Sequence, residues 1–399
     1  MASTPAVRPR RRAFVSAAVL VLAASLFAPS PAAAAREHGG SGGHRAGGPL
    51  SVRGADISFT PQLEAAGIRF SDRGVVRPVE RILADHGANY IRIRVWVNPP
   101  PGYSDEAAAL ALALRAKRAG MKVLLDLHYS DFWADPQHED TPAAWLGQDL
   151  PTLANTVREY TRDIIAKFAR QGTPVDMLQV GNEVRNGMLW PVGEIYPPSG
   201  GPERWSEFAT LLKAGIAGAR EGAPRRHQPR IMIHHDQGGN NGAVRYFLDH
   251  ILAEGVQFDV IGLSYYAMWH GSLADLQSNL NDLATRYDRD LVVVEVQYPW
   301  TTANGDQLDN FFWNSNQLPD GDRFPATPAG QAAFYEELRR VIAAVPQRRG
   351  LGFFVWEPEW TPGVGWAPGF GTPNDNMTMF TWTGEALPSL AVFRPPPRR

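Results

Sequence analysis

Eight short apolar runs, each rich in β-branched and aromatic residues, recur between residues 52 and 358 and leave few architectures open. They are VRGADIS (52–58), NYIRIRVWV (89–97), MKVLLDLHY (121–129), DMLQVGNE (176–183), RIMIHHD (230–236), DVIGLSYY (259–266), LVVVEVQY (291–298) and LGFFVWEP (351–358). Strands that are apolar on both faces belong in a parallel sheet covered by helices. Helix-like stretches lie between them. SDEAAALALALRAKRAG starts with Ser104 as its cap and stops at Gly120. PTLANTVREYTRDIIAKFARQG closes at Gly172, and ERWSEFATLLKAGIAGAREG and TPAGQAAFYEELRRVIAAV follow the same grammar. Eight such units predict an α/β fold, a single (β/α)8 TIM barrel over residues 51–399 with enlarged βα loops. A doubly wound open sheet would carry a Gly-rich phosphate loop after its first strand, and none follows here. No internal repeat of solenoid length is seen.

Polar and aromatic residues collect at the C-terminal ends of these runs: Asp56, Trp96, His128, Asn182, Glu183, His235, Asp236, Tyr265, Tyr266, Glu295 and Trp356. In a barrel those ends share the face that carries the active site. Four of them are acids, and two of these are glutamates on apolar strands. LQVGNE ends at Glu183, and LVVVEVQYPW holds Glu295 at its middle. A carboxylate there is costly to bury unless it is used or paired. Two facing carboxylates are the minimal apparatus for cleaving a glycosidic bond. An isolated Asn-Glu pair is more often a loop salt bridge; its place opposite Glu295 reverses that reading.

Glu183 is therefore expected as the general acid/base and Glu295 as an ionised nucleophile. Arg92, Arg94 and Tyr265 are the groups expected to keep Glu295 charged. The two arginines, two residues apart, point to one side, and Arg92 is taken as the active-site member. Asp126 and His128 share a side and would line a sugar site with Asn182, His235 and Asp236. A catalytic metal is not expected: no HxH or HExxH occurs, and His234 and His235 point opposite ways on a strand. Trp96, Trp133, Trp190, Trp269, Trp300, Trp356 and Trp360 sit at or beyond strand ends, where an indole face packs on a sugar ring. Trp356 is the leading platform. Glu357 and Glu359 are rival carboxylates, read as secondary.

The N-terminus reads as an export signal. Arg8, Arg10, Arg11 and Arg12 precede the apolar run AFVSAAVLVLAASLFA, and Ala32 to Ala35 supply small residues. Residues 1–35 are read as the signal, of general or twin-arginine type, and residues 36–50 as a flexible Gly/Ser linker. Removing 1–35 deletes four arginines and no acids, so the formal charge moves from −2 to −6. That argues against a nucleic-acid partner, which needs a basic surface. The chain has no cysteine, so its core does not rely on disulfides. The expectation is a secreted, extracellular monomer with no membrane contact once the signal is removed.

Several segments together carry a family resemblance: GADIS, RIRVWV, GMKVLLDLHYSDFWADP, VGNEVRNGMLWP, IMIHHDQGGNN, FDVIGLSYYAMWHGSL, VVVEVQYPWT, FPATPAGQ and GLGFFVWEPEW. The chain resembles glycoside hydrolase family 53, the arabinogalactan endo-β-1,4-galactanases. The resemblance implies a retaining (β/α)8 glycosidase with its acid/base closing strand four and its nucleophile on strand seven, here Glu183 and Glu295. It implies that Asn182, His128, Tyr265, His270 and Trp356 line the cleaved subsite. The family often reads VVETAYP where this chain has VVEVQYP, so Val296 and Gln297 change the surroundings of the nucleophile. Ala267 stands where Pro often follows SYY. Many bacterial members hold calcium in the loop after strand seven. Here that loop is ANGDQLDN, with Leu308 where a ligand is often His. No cofactor or structural calcium is expected; Asn304, Asp306 and Asn310 are the donors that would hold one. The substrate the resemblance implies is β-1,4-galactan of pectin. Another β-1,4-glycanase, on mannan, xylan or glucan, and a non-catalytic carbohydrate-binding barrel are the alternatives.

Overall fold

The computed structural model describes residues 50–395. All eight apolar runs form strands: β1 (Val52–Asp56), β2 (Tyr90–Val95), β3 (Lys122–Leu127), β4 (Met177–Val180), β5 (Arg230–His235), β6 (Val260–Tyr266), β7 (Asp290–Gln297) and β8 (Gly350–Val355). Each pairs in parallel with the next. The sheet closes where β8 meets β1, from Val52↔Gly352 to Ala55↔Val355. This is the expected (β/α)8 barrel. A two-stranded ribbon, Ser71–Asp72 with Val75–Val76, is added after β1. The calls on residues 1–35 and 36–49 lie outside the described residues. Leu50, assigned to the linker, is buried in the core, and its carbonyl accepts from Arg53 Nη1 at 2.6 Å. Among the described residues no helix is long and apolar enough to cross a membrane.

The helices start and stop where side chains satisfy their free backbone groups. Thr327 caps Pro328–Ala343 by accepting from Gly330 N, and Asp149 caps Leu150–Gln171 by accepting from Thr152 N. The latter ends at Gly172, whose φ of 81° is the left-handed cap that glycine adopts without steric cost. Helix Glu106–Arg118 differs from expectation by one residue. Its cap is Asp105, accepting from Ala108 N at 2.7 Å, and Ser104 lies outside the helix. A carboxylate also complements the positive end of the helix dipole.

Apolar side chains fill two layers. Outside the barrel, Ile93, Leu125, Ile233, Leu263 and Val293 lie in the cluster that packs beneath the helices. Inside it, Val52, Tyr90, Leu124, Met177, Met232, Val260, Val292, Val294 and Phe354 form a separate plug. Each fully buried apolar side chain contributes about 1.5–3 kcal/mol. This plug is the floor of the site. Two residues further along the inward face, the strands turn polar: Arg92, Asp126, Gln179 and His234 follow Tyr90, Leu124, Met177 and Met232.

Candidate active site

Glu183 lies just beyond β4 with φ +49°. That conformation costs a non-glycine residue of the order of 1 kcal/mol or more. It is held in place by its neighbours: Val184 N donates to the His234 carbonyl at 3.1 Å, and Glu183 N donates to His234 Nδ1 at 3.4 Å. Glu295 reaches the same spot by a different device. Val292 and Val294 face the barrel interior, so strict alternation would send Glu295 outward with Val293. The β6–β7 register instead shifts by one residue, from Leu263↔Val293 to Ser264↔Glu295, and the bulge returns Glu295 to the interior. An oxygen of Glu183, an oxygen of Glu295 and a ring nitrogen of His234 lie within 4.8 Å of one another.

The surroundings of the two carboxylates differ. Glu295 Oε1 pairs with Arg92 Nη1 at 2.9 Å, and its Oε2 accepts from the Tyr266 hydroxyl at 2.8 Å. Its pKa is raised, by burial, with Arg92 and the Tyr266 hydrogen bond opposing that rise. Glu183 has one protein donor among the described residues, the Ser264 hydroxyl, at 2.5 Å from Oε1. Burial, then the charges of Glu295 and Asp236, raise its pKa well above the carboxylate range. A proton shared by the pair therefore sits on Glu183, and the negative charge sits on Glu295.

Arg92 organises the floor. Besides Glu295 it holds Asp56 at 2.9 Å and Asp126 at 2.8 Å, and Nη2 also donates to Asn182 Oδ1 at 2.8 Å. Burial opposes its charge, but Asp126, Glu295 and Asp56 outweigh that and raise its pKa. Asp126 in turn accepts from His128 Nε2 at 2.9 Å and from Gln179 Nε2 at 2.7 Å. Two N–H donors, Trp96 Nε1 at 3.2 Å and Ala134 N at 3.1 Å, point at His128 Nδ1. His128 is thus a neutral Nε2–H tautomer, its pKa lowered by burial. Both its nitrogens are spent on protein. Asn182 also donates to the Ala134 carbonyl, so it braces the β3 and β4 loops. Arg94 is drawn away to Glu357 at 3.0 Å and lies over the Trp133 ring.

Other expected residues fall into two groups. Trp356 and His270 border the pair: Trp356 meets Tyr266 edge-on at 6.5 Å, and His270 Nδ1 accepts from Tyr266 N at 3.0 Å. Burial pushes His270 down to about 4. Asp236 contacts Arg185 at 3.4 Å and adds negative charge near Glu183. Tyr265 and His235 point the other way. The Tyr265 hydroxyl donates to the Gly271 carbonyl and its ring stacks on Phe334, while His235 packs on Phe247. Tyr266 and His234 hold the places that were expected of them. The signal was present in the alternation: Met232 and Gly262 face inward, so His234, Ser264 and Tyr266 do too. Gln179 was missed for the same reason.

Aromatic rings form a continuous wall at the mouth. Trp356 contacts Trp133 at 5.9 Å, Trp133 stacks on Trp366 at 4.2 Å, and Trp366 meets Phe311 at 6.1 Å. Phe311 meets Trp269 at 5.3 Å, and Trp269 returns to Tyr266 at 5.4 Å. Trp96 and Trp360, in contrast, are core residues.

The residues expected to hold a calcium make hydrogen bonds of their own. Asn304 Oδ1 accepts from Asp306 N, and the Asp306 oxygens accept from Leu308 N and Thr372 N. Asn310 turns its amide nitrogen to Asp375 Oδ1 at 2.7 Å. Each of these oxygens keeps a second lone pair, and Asn310 Oδ1 has no hydrogen-bond partner among the described residues. At the carboxylate pair, His234 has both ring nitrogens engaged by protein groups.

Known proteins share this sequence pattern and this fold. The model of glycosyl hydrolase family 53 matches residues 52–393. The arabinogalactan endo-β-1,4-galactanase of Humicola insolens is 34% identical over 352 residues, 86% of this chain and 99% of that protein. The arabinogalactan endo-β-1,4-galactanase A of Aspergillus niger is 35% identical over 352 residues, covering 86% and 94%. The solved Ignisphaera aggregans family 53 catalytic domain superposes with a TM-score of 0.80 at 35% identity, covering 86% of this chain and 95% of that one. The chain belongs to glycosyl hydrolase family 53.

Proposed function

We propose that this protein is a secreted, retaining endo-β-1,4-galactanase that hydrolyses galactan side chains of pectic arabinogalactan. The observation that carries the mechanism is the close carboxylate pair, with oxygens within 4.8 Å, of which only Glu295 has a cation. Retaining glycosidases hold their two carboxyl groups about 5–5.5 Å apart, whereas inverting ones leave about 6.5–9.5 Å for a water. Glu295 attacks the anomeric carbon while protonated Glu183 gives its proton to the departing glycosidic oxygen. Water, deprotonated by Glu183, then releases the glycosyl-enzyme with overall retention. The substrate class rests on the galactanase names of the relatives; the aromatic wall suits a chain of pyranose rings. Secretion rests on the charge and apolar order of residues 1–35. These steps need no metal.

Reducing-sugar release from pure β-1,4-galactan, mannan, xylan and glucan, with the anomer of the first product read by NMR, tests substrate and stereochemistry together. Galactan alone should be cut, with a β-anomer first. Glu183→Ala should slow galactan cleavage about 10²–10⁴-fold, and Glu295→Ala should abolish it. Normal turnover in either variant, or a first product of α-configuration, would overturn the assignment.

A further inference from the structure

Ser264 and His234 take no part in the steps above, yet both are buried and joined in one line to Glu183. The order of donors along that line is determined from its far end. The backbone N–H of Glu183 can only donate, and it points at His234 Nδ1 at 3.4 Å. Asn182 Oδ1 lies 3.1 Å from the same nitrogen, but it already accepts from Arg92 Nη2 at 2.8 Å and from Gln179 Nε2 at 2.9 Å, which leaves Nδ1 to the Glu183 N–H. Nδ1 is therefore the acceptor. Burial, with Arg92 nearby, keeps the ring neutral, so its single proton is on Nε2. Nε2 lies 2.9 Å from Ser264 Oγ and donates to it. The one proton of Ser264 is left for Glu183 Oε1, at 2.5 Å. Glu183 Oε2 has no protein hydrogen bond among the described residues.

We infer that Ser264, oriented by His234, is a positioning residue that reserves Glu183 Oε1 as an acceptor and so places the transferable proton on Oε2. This rests on the reading of Glu183 as general acid. A carboxylic acid with both oxygens free would divide its proton between them, and only one faces a leaving group in a given pose. The hydroxyl also stabilises the anion left after proton transfer, when Glu183 must act as base. The charged and titratable groups facing Glu183 are Glu295 on β7, Tyr266 on β6, His234 on β5, Asp236 after β5, and Asp135 and Glu139 in the β3 loop. None of these is a cation, so among the described residues the Ser264 hydroxyl is the neighbour that favours ionisation of Glu183.

The test is kcat/KM, which ends at the glycosylation step, measured against pH for wild type, Ser264→Ala, Ser264→Thr and Glu183→Ala. Two substrates are used: β-1,4-galactan, and a dinitrophenyl β-galactobioside whose leaving group needs no proton. Ser264→Ala should lower kcat/KM on galactan about tenfold, the scale of one hydrogen bond, and move the basic limb to higher pH. It should leave the dinitrophenyl substrate nearly unaffected, and Ser264→Thr, which keeps a hydroxyl, should restore the profile. Equal losses on both substrates with an unmoved basic limb would overturn the inference while leaving Glu183→Ala inactive on galactan. An active Glu183→Ala would instead remove the reading beneath it.

Discussion

Glu359 provides the most quantitative test of how charge is distributed around this site. It is fully buried near β8, with Oε1 accepting from Thr60 Oγ1 at 2.7 Å and Oε2 without a partner. The nearby cation, Arg94, is committed to Glu357. Burial pushes the Glu359 pKa from 4.5 up to about 8, with Asp56 adding to the rise and Thr60 and Arg94 opposing it. A raised folded-state pKa means that folding takes up a proton. The sign follows: stability is fully present below pH 4.5 and is lost as pH climbs towards 8. At pH 7 the uptake spans 7 − 4.5 = 2.5 units, which at about 1.4 kcal/mol per unit costs about 3 kcal/mol. Above pH 8 the cost levels off near 5 kcal/mol, from about 3.5 units.

Glu359→Gln removes the titration in both states. Urea unfolding of the two proteins, followed from pH 4 to pH 9, should show the variant gaining on wild type by about 3 kcal/mol between pH 4 and pH 7. A stability difference that stays flat across that window would refute the reasoning. The same variant separates the rival carboxylates from the reacting pair. If Glu359 only stores a proton, kcat/KM on galactan stays at the wild-type value at pH 6.

Two further outcomes are expected. Tyr266→Phe removes the donor to Glu295 Oε2, which favours the anion, so the pKa of Glu295 rises. The acidic limb of the pH–rate profile should move to higher pH and kcat/KM should fall about 10–100-fold; an unmoved limb would show that Arg92 alone sets the charge. The 304–310 loop is tied by its own N–H bonds, so a chelator should leave the thermal unfolding midpoint unchanged, and a fall on adding EDTA would reveal a cation.

The barrel was legible because burial on both faces makes its strands near-continuous apolar runs, and because polar residues stop those runs at one end only. Glu183 and Glu295 stood out for the same reason. The choices between Tyr265 and Tyr266, and between His234 and His235, were legible in principle. They required counting alternation from Met232 and Gly262 rather than taking the last polar residue of each run. The inward turn of Glu295 was not legible. Alternation from Val292 and Val294 points it outward, and only the register of β7 against β6 brings it back. Register is a property of two strands, so neither run shows it alone. The left-handed conformation of Glu183 is similar: Gly181 hints at a turn, but contacts to His234 from β5 hold it.

The division of labour between the two glutamates follows from what the barrel layer can hold. One guanidinium, Arg92, meets three carboxylates, and it comes from β2, where it reaches Asp56, Asp126 and Glu295 but is not seen bonded to Glu183. Arg185, the next cation towards Glu183, contacts Asp236. The site therefore has more buried acid than cation, and some of that acid must stay protonated to be folded at all. Because Glu183 receives only a neutral hydroxyl, the proton settles there. In the proposed mechanism, the excess of acid over cation that makes the layer expensive to bury is the same excess that would keep a carboxylic acid available to donate at the pH where its partner is ionised.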